Sequence, residues 1–193
     1  MREISTGDYG PLARDLIAKA AAEQRPKTLV FAAPDSTAEA MLRAMSDQTI
    51  SKNRRVRMPH DAQALHAALW LLFDFMKESH DISQAIATPS GSYWHGILHR
   101  REPDAFNAKY WMARVGEHPI FPELLSDAKE LAAATPSGAS ISAKLGAMTK
   151  WDAAWFADQC CTAPAAVLTE TLLQIQRREW ALLFDYNFKK AFA

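Results

Sequence analysis

The sequence predicts an all-α protein, a single-domain helical bundle of about seven or eight helices with an irregular N-terminal arm. Apolar residues recur three and four positions apart along most of the chain, and residues that start or stop helices separate these stretches. Only residues 28–33 have the composition of a strand. Because a lone strand has no partner for its backbone hydrogen bonds, this run is expected to be extended or a loop.

The N-terminal arm, residues 1–60, is expected to carry two helices packed on the main domain. Residues 11–24 are rich in Ala, Leu and Ile at helical spacing and begin with a proline, which suits the first turn of a helix. Asp35 is a good cap for a second helix that runs to about Met45. Residues 52–57 follow as a basic loop.

The core domain, residues 61–193, opens with the most apolar helix of the chain. Asp61 is expected to cap it, and residues 64–76 are hydrophobic nearly all round, which is typical of a helix at the centre of a bundle. Ser90 or Ser92 is expected to cap the next helix, residues 93–101.

The following helix, residues 105–115, has Asp104 as its cap and Gly116 as a natural stop. Helices are also predicted at residues 122–134, 151–161 and 164 to about 191. The last of these is amphipathic, so homodimerisation through it is possible.

Composition limits the classes of partner and the compartment. The 193 residues are 49% hydrophobic and 23% charged, and 22 Lys and Arg balance 22 Asp and Glu. A neutral chain lacks the long-range attraction that favours nucleic acid or anionic membranes, so neither is expected as a partner. The two cysteines are adjacent, which suits thiols in a reducing compartment. A cytoplasmic, soluble protein is therefore expected.

One segment, residues 80–119, concentrates side chains that carry chemistry. It holds four of the six histidines, three arginines, two tyrosines and two tryptophans. Such a mixture is too polar for an ordinary core and too aromatic for a solvated face, so we expect it to line a polar cleft. The cleft is predicted to be lined by His80, His95, His99, Arg100, Glu102, Asn107 and Arg114.

The leading hypothesis is that this cleft binds a small anionic metabolite, with acid–base turnover by His95 or His99 and Glu102 as a further possibility. The arginines would pair with the anion, and the aromatic side chains would offer faces for a planar group. The candidate ligand-binding residues are His80, Trp94, Arg100, Arg101, Asn107, Tyr110, Trp111 and Arg114.

An enzyme hypothesis uses a divalent metal. His95 and His99 lie four apart on a predicted helix, so their imidazoles share a face, and Glu102 would complete a two-His, one-carboxylate site that activates water. His80 and Glu78 are further candidate ligands. The arginines next to His99 weigh against a cation, and the internal glutamate of the zinc-protease motif is absent.

The third hypothesis is a buried packing network without catalysis. In it, Arg100, Arg101 and Arg114 would pair with the acidic residues of the same region, namely Glu78, Glu102 and Asp104. Asp74, a carboxylate within the most apolar helix, would need a partner such as one of these arginines.

Three sequence blocks resemble a family of uncharacterised bacterial all-helical proteins. They are the long block from LWLLFDF to RVGEHP, the block WDAAWFADQC and the block QRREWALLFDY, and the resemblance covers roughly residues 61–193. The family has no known activity, so the resemblance implies no catalytic role. It does imply that Gln176 and Glu179, in the last block, belong with the polar segment, and we expect them to meet it across the bundle.

Overall fold

The computed structural model describes residues 8–162 and 169–192, and within them the protein is all-α, as predicted. These residues form eleven α-helices and no strand. The helices are α1 (Pro11–Ala22), α2 (Ser36–Arg43), α3 (Asp47–Ser51), α4 (Pro59–Leu72), α5 (Met76–Ser83), α6 (Pro89–Arg101), α7 (Ala105–Val115), α8 (Phe121–Ala134), α9 (Ala139–Ala147), α10 (Ala153–Thr162) and α11 (Thr169–Phe192).

The described residues contain more helices than the seven or eight expected, because the additional ones are short. Helices α3, α5 and α9 have five, eight and nine residues. About two and a half turns or fewer give little periodicity to detect. Residues 28–33 are not helical or extended in a sheet, as expected, and the backbone N–H of Phe31 donates to the carbonyl of Arg101.

The predicted apolar helix of residues 64–76 is interrupted. Helix α4 ends at Leu72, Asp74 adopts a positive φ of 68°, and α5 begins at Met76. The Asp74 carboxylate accepts hydrogen bonds from Arg101 and Arg25, so a buried charge replaces the continuing helix at this point. The prediction that Asp74 needs an arginine partner is confirmed.

Two of the predicted caps were wrong. Helix α4 starts at Pro59, and Asp61 lies in its first turn, where it accepts a hydrogen bond from Asn187. Helix α6 is capped by Thr88, whose side chain accepts from the backbone N–H of Gly91, and not by a serine. Proline at the first helical position explains both earlier starts. The Asp104 cap of α7 is confirmed.

Helix α6 lies at the centre of the molecule. Every residue from Ser90 to Arg101 is buried, and α6 contacts α4, α5, α7 and α10. The long helix α11 packs against α4 on one side of this core. Within α11, Trp180 stacks on Phe184. The expected beginning of the last helix near Pro164 lies outside the described residues.

No helix of the described ranges combines the length and the apolar character needed to cross a bilayer.

Candidate functional site

Three histidines meet where α5 packs against α6. His80 comes from α5, while His95 and His99 lie one turn apart on α6, and one ligating atom from each lies within 4.8 Å of the others. The imidazoles also contact one another as rings, with His95 having its centroid 4.6 Å from those of His80 and His99. We call these three residues the histidine cluster.

The two α6 histidines point the same ring nitrogen at each other. The Nε2 atoms of His95 and His99 are 2.9 Å apart. This separation is that of an N–H···N hydrogen bond, so one of the two Nε2 atoms carries a proton. Both inner nitrogens therefore face one point that the two imidazoles share.

The outer nitrogens of the same two rings have partners of their own. Nδ1 of His99 lies 2.6 Å from the Glu102 carboxylate, which accepts a hydrogen bond, so Nδ1 carries the proton. Nδ1 of His95 lies 2.9 Å from the hydroxyl of Ser83. Metal-ligating histidines use this arrangement, in which the distal N–H donates to a carboxylate, a hydroxyl or a carbonyl and fixes the tautomer.

Ser83 allows either tautomer of His95. When its hydroxyl donates to Nδ1 of His95, the proton of that ring is on Nε2 and donates to His99, which gives a fully hydrogen-bonded chain. The hydroxyl is also 3.4 Å from the carbonyl of His80. When it donates there, it accepts from Nδ1 of His95, and the Nε2 lone pairs of both rings are then available to a cation that the two rings would share.

Helix α7 supplies the wall of the site. The Asn107 amide nitrogen is 3.2 Å from both ring nitrogens of His99, and the Trp111 ring centroid is 4.2 Å from that of His95. These two residues lie one turn apart and face α6 together. From the same helix, the Arg114 guanidinium contacts the rings of Tyr110 and Trp111.

The cluster is buried at one end and open at the other. His95 is 2% exposed, and burial, together with the charges of His99 and His80, lowers its pKa from 6.5 to about 3. The side chains of His80 and Glu102 are 34% and 31% exposed. A neutral imidazole therefore lies beside a face that small molecules can reach.

Arg100 and Arg101 point away from the histidine cluster. Arg100 forms a fully buried ion pair with Glu179 of α11. Its Nε also donates a hydrogen bond to the side-chain oxygen Oε1 of Gln176 at 3.3 Å. Arg101 pairs with Asp74 at 2.5 Å. Successive residues of a helix project about 100° apart, so the arginines after His99 face other neighbours.

Several predicted pairings are corrected by these contacts. The packing hypothesis paired both arginines with Glu78, Glu102 and Asp104, whereas their partners are Glu179 and Asp74. Trp94 lies in the core and donates to Asn187, so it lines no cleft. The expectation that Gln176 and Glu179 meet the polar segment is confirmed through Arg100.

Ser83 is the residue of the site that the sequence did not single out for a role. The signal was its spacing, since it lies three residues after His80 and therefore on the same face of α5. Glu102, a predicted ligand, lies against the outer nitrogen of His99, and one ring nitrogen of His80 lies within 4.8 Å of those of the two α6 histidines.

The contact between Ser90 and His118 differs from that between Ser83 and His95. Ser90 lies 3.5 Å from Nε2 of His118, but Nδ1 of His118 accepts from the backbone N–H of Ile120. A neutral His118 therefore keeps its proton on Nε2 and is a donor toward Ser90, not a base. This agrees with the interpretation of Ser90 as a structural residue near the start of α6.

Comparison with protein-family models, with curated protein sequences and with solved structures gives no match, so the functional argument depends on the residues of the site.

Proposed function

We propose that the histidine cluster binds one divalent transition-metal ion and that the protein is a metal-dependent hydrolase. The observation that carries the proposal is the orientation of the α6 imidazoles. Their outer nitrogens are held by Ser83 and Glu102, while their inner nitrogens converge at 2.9 Å on a shared point within reach of His80.

The distances suit a first-row ion after a small adjustment. Two nitrogens bound at 2.0–2.1 Å to a tetrahedral ion lie about 3.4 Å apart. The present Nε2 separation is shorter because a hydrogen bond joins the rings, and the nitrogen of His80 lies farther away, within 4.8 Å. Neutral imidazoles favour zinc, iron, copper or nickel over magnesium or calcium.

Three protein ligands leave a coordination position for water, which is typical of catalytic rather than structural sites. With His80, His95 and His99 as ligands, a bound ion would lower the pKa of that water to about 7 and supply hydroxide at neutral pH. In ester hydrolysis, the hydroxide oxygen would bond to the acyl carbon, the bond from that carbon to the leaving oxygen would break, and the leaving oxygen would take the proton that the water had given up. Asn107 lies where its amide can orient the substrate or the water.

The packing hypothesis accounts well for Arg100, Arg101 and Trp94, whose partners are all within the core. It does not account for the histidine cluster, because a hydrogen-bonded pair of imidazoles needs no third histidine at its open side. Because Arg100 and Arg101 pair with buried carboxylates, an anion near the cluster would instead bind Arg114, which is exposed and forms no ion pair within the described residues.

Titration of untagged protein with Co²⁺, followed by visible absorption, tests the proposal. We expect one bound ion with the intense bands of a tetrahedral site, and loss of those bands in His80→Ala, His95→Ala and His99→Ala. His60→Ala is the matched control, because His60 lies on α4 and contacts only Gln63 among hydrogen-bonding side chains of the described residues. Because His80 is half-buried, we expect His80→Ala to disturb the fold least of the three variants.

Unchanged cobalt spectra in His80→Ala and His99→Ala would contradict metal binding at this cluster. The hydrolase assignment is tested separately by ester turnover of the zinc-loaded protein. Zinc binding without turnover of any ester would support the metal site and contradict the hydrolase assignment.

A further inference from the structure

Arg114 differs from the other arginines near the site. Arg100, Arg101 and Arg178 each form an ion pair with a carboxylate. Arg114 is exposed, and no carboxylate among the described residues lies within ion-pair distance of it. Its guanidinium group is therefore available to an anion from solution.

Two aromatic rings hold this guanidinium in place. Its central carbon lies 5.4 Å from the ring centroid of Trp111 and 5.9 Å from that of Tyr110. Stacking of this kind orients the planar group while leaving its N–H donors free. Because the Trp111 ring also contacts His95, the guanidinium and the histidine cluster both lie against one indole.

The charges around the cluster are arranged along α6. Glu102 lies at the His99 end, while Trp111 and Arg114 lie at the His95 end. A second carboxylate, Asp81, is 3.9 Å from His80. An anionic group is repelled by the two carboxylates and attracted by Arg114, so its orientation in the site is fixed.

The same face of α7 exposes apolar surface. Tyr110 is 53% exposed and Phe106, one turn earlier, is 85% exposed. Large aromatic side chains this exposed are uncommon on a small domain, and Tyr110, which contacts the Arg114 guanidinium, offers a flat surface for a planar group.

We propose that the substrate is a compact organic anion with a planar body, whose oxyanion group binds Arg114 and whose scissile bond lies at the histidine cluster. This inference rests on the proposed function. Arg114 and His95 both contact Trp111 but are two different binding points, so the oxyanion is distinct from the group that is cleaved. Carboxylate and phosphonate share the chemistry that Arg114 recognises.

Calorimetric titration of the zinc-loaded protein with phenylacetate, benzylphosphonate and the neutral ester methyl phenylacetate tests the inference. We expect one of the two anions to bind and the neutral ester to bind more weakly. Arg114→Gln should weaken binding of that anion about 10-fold and leave binding of the neutral ester unchanged. The better of the two anions identifies the oxyanion class.

Arg114→Lys and Lys109→Gln serve as matched variants. Lysine keeps the charge without the stacked fork, so Arg114→Lys should recover only part of the affinity. Lys109 lies on the same helix but pairs with Asp158, so Lys109→Gln should have no effect.

Equal affinity of wild type and Arg114→Gln for both anions would overturn the inference. Its failure is distinguishable from that of the proposed function, because zinc uptake is measured first. If the protein takes up no zinc, the proposed function fails, and the same titrations on metal-free protein still decide whether Arg114 binds the anion.

Discussion

At the residue scale, the outer partners of the two α6 histidines decide which ring nitrogen is available to a ligand. Glu102 fixes the proton of His99 on Nδ1, and Ser83 offers His95 an acceptor when its own hydroxyl turns to the carbonyl of His80. Each partner orients a ring as well as choosing its tautomer.

Replacing either partner should weaken zinc binding without abolishing it. We expect Ser83→Ala and Glu102→Gln each to raise the dissociation constant for zinc about 10–100-fold, measured by competition with a chromophoric chelator. Ser90→Ala, which removes a buried serine hydroxyl of α6 outside the cluster, is the control. An affinity equal to wild type in both variants would mean that the outer hydrogen bonds do not orient the ligands.

Buried His118 should make stability depend on pH. Burial lowers its pKa from 6.5 to about 4, so below pH 6.5 the unfolded chain binds a proton that the folded chain does not. The resulting stability is complete above pH 6.5 and is lost as the pH falls toward 4, by up to about 1.4 kcal/mol per pH unit.

His118→Asn should remove this contribution while keeping an acceptor for the Ile120 N–H. Urea unfolding at pH 7 and at pH 4.5 is the measurement, and the variant should lose less stability between the two values than wild type does. An equal loss in both proteins would show that His118 does not stay neutral in the fold.

The sequence predicted the pairing of His95 with His99 because helical spacing alone places residues i and i+4 on one face. Helical spacing did not predict the ion-pair partners of Arg100 and Arg101, which are 79 and 27 residues away. Pairing over such distances depends on how the helices pack, and helical periodicity carries no information about that.

At the element scale, the position of α6 relative to α5 sets the geometry of the histidine cluster. The turn between them brings Gly91 against Ile86, and a Cβ at position 91 would lie 2.3 Å from the Ile86 carbonyl oxygen. The backbone there has no room to move, so glycine is required by the close approach.

Gly91→Ala should therefore destabilise the protein by about 1–3 kcal/mol, as overpacking does, and shift α6 so that zinc binds more weakly. Gly96→Ala is the matched control on the same helix. Its Cβ would meet the flexible end of Met112 at 2.9 Å, and alanine favours the helix, so a change within about 1 kcal/mol is expected. Thermal and urea unfolding of both variants measure the difference, and equal losses would contradict the argument from Ile86.

Long helices were predictable and short ones were not. Helix α7 has its predicted bounds and its predicted Asp104 cap, because the capping residue, the periodic pattern and Gly116 agree. The break at Asp74 was missed because residues 73–76 continue the apolar pattern of α4. Its cause is tertiary, since the carboxylate at the break binds Arg25 and Arg101 from distant parts of the chain.

At the scale of the whole molecule, one buried ion pair ties α6 to α11. Arg100 and Glu179 are both fully buried, and Tyr93 donates to the same carboxylate at 2.8 Å. Burial of Tyr93, together with the Glu179 carboxylate beside it, holds the pKa of the phenol well above its usual range. The pair fixes how the two helices meet.

Glu179→Ala should cost about 3–5 kcal/mol of unfolding free energy, because it leaves the Arg100 charge buried without a partner. The double variant Arg100→Met, Glu179→Leu should cost less than Glu179→Ala alone. Glu117→Ala, which breaks the exposed pair with Lys150, is the control and should leave stability unchanged. Urea unfolding compares the three variants, and a double variant as unstable as Glu179→Ala would contradict the account.

The central claim is that the histidine cluster holds one metal ion. Elemental analysis by mass spectrometry on untagged protein, purified without chelators, tests it most directly. We predict about one zinc, iron or copper ion per chain in wild type and in His60→Ala, and none in His99→Ala. Metal-free wild type that also takes up none from excess zinc, or metal retained by His99→Ala, would contradict the claim.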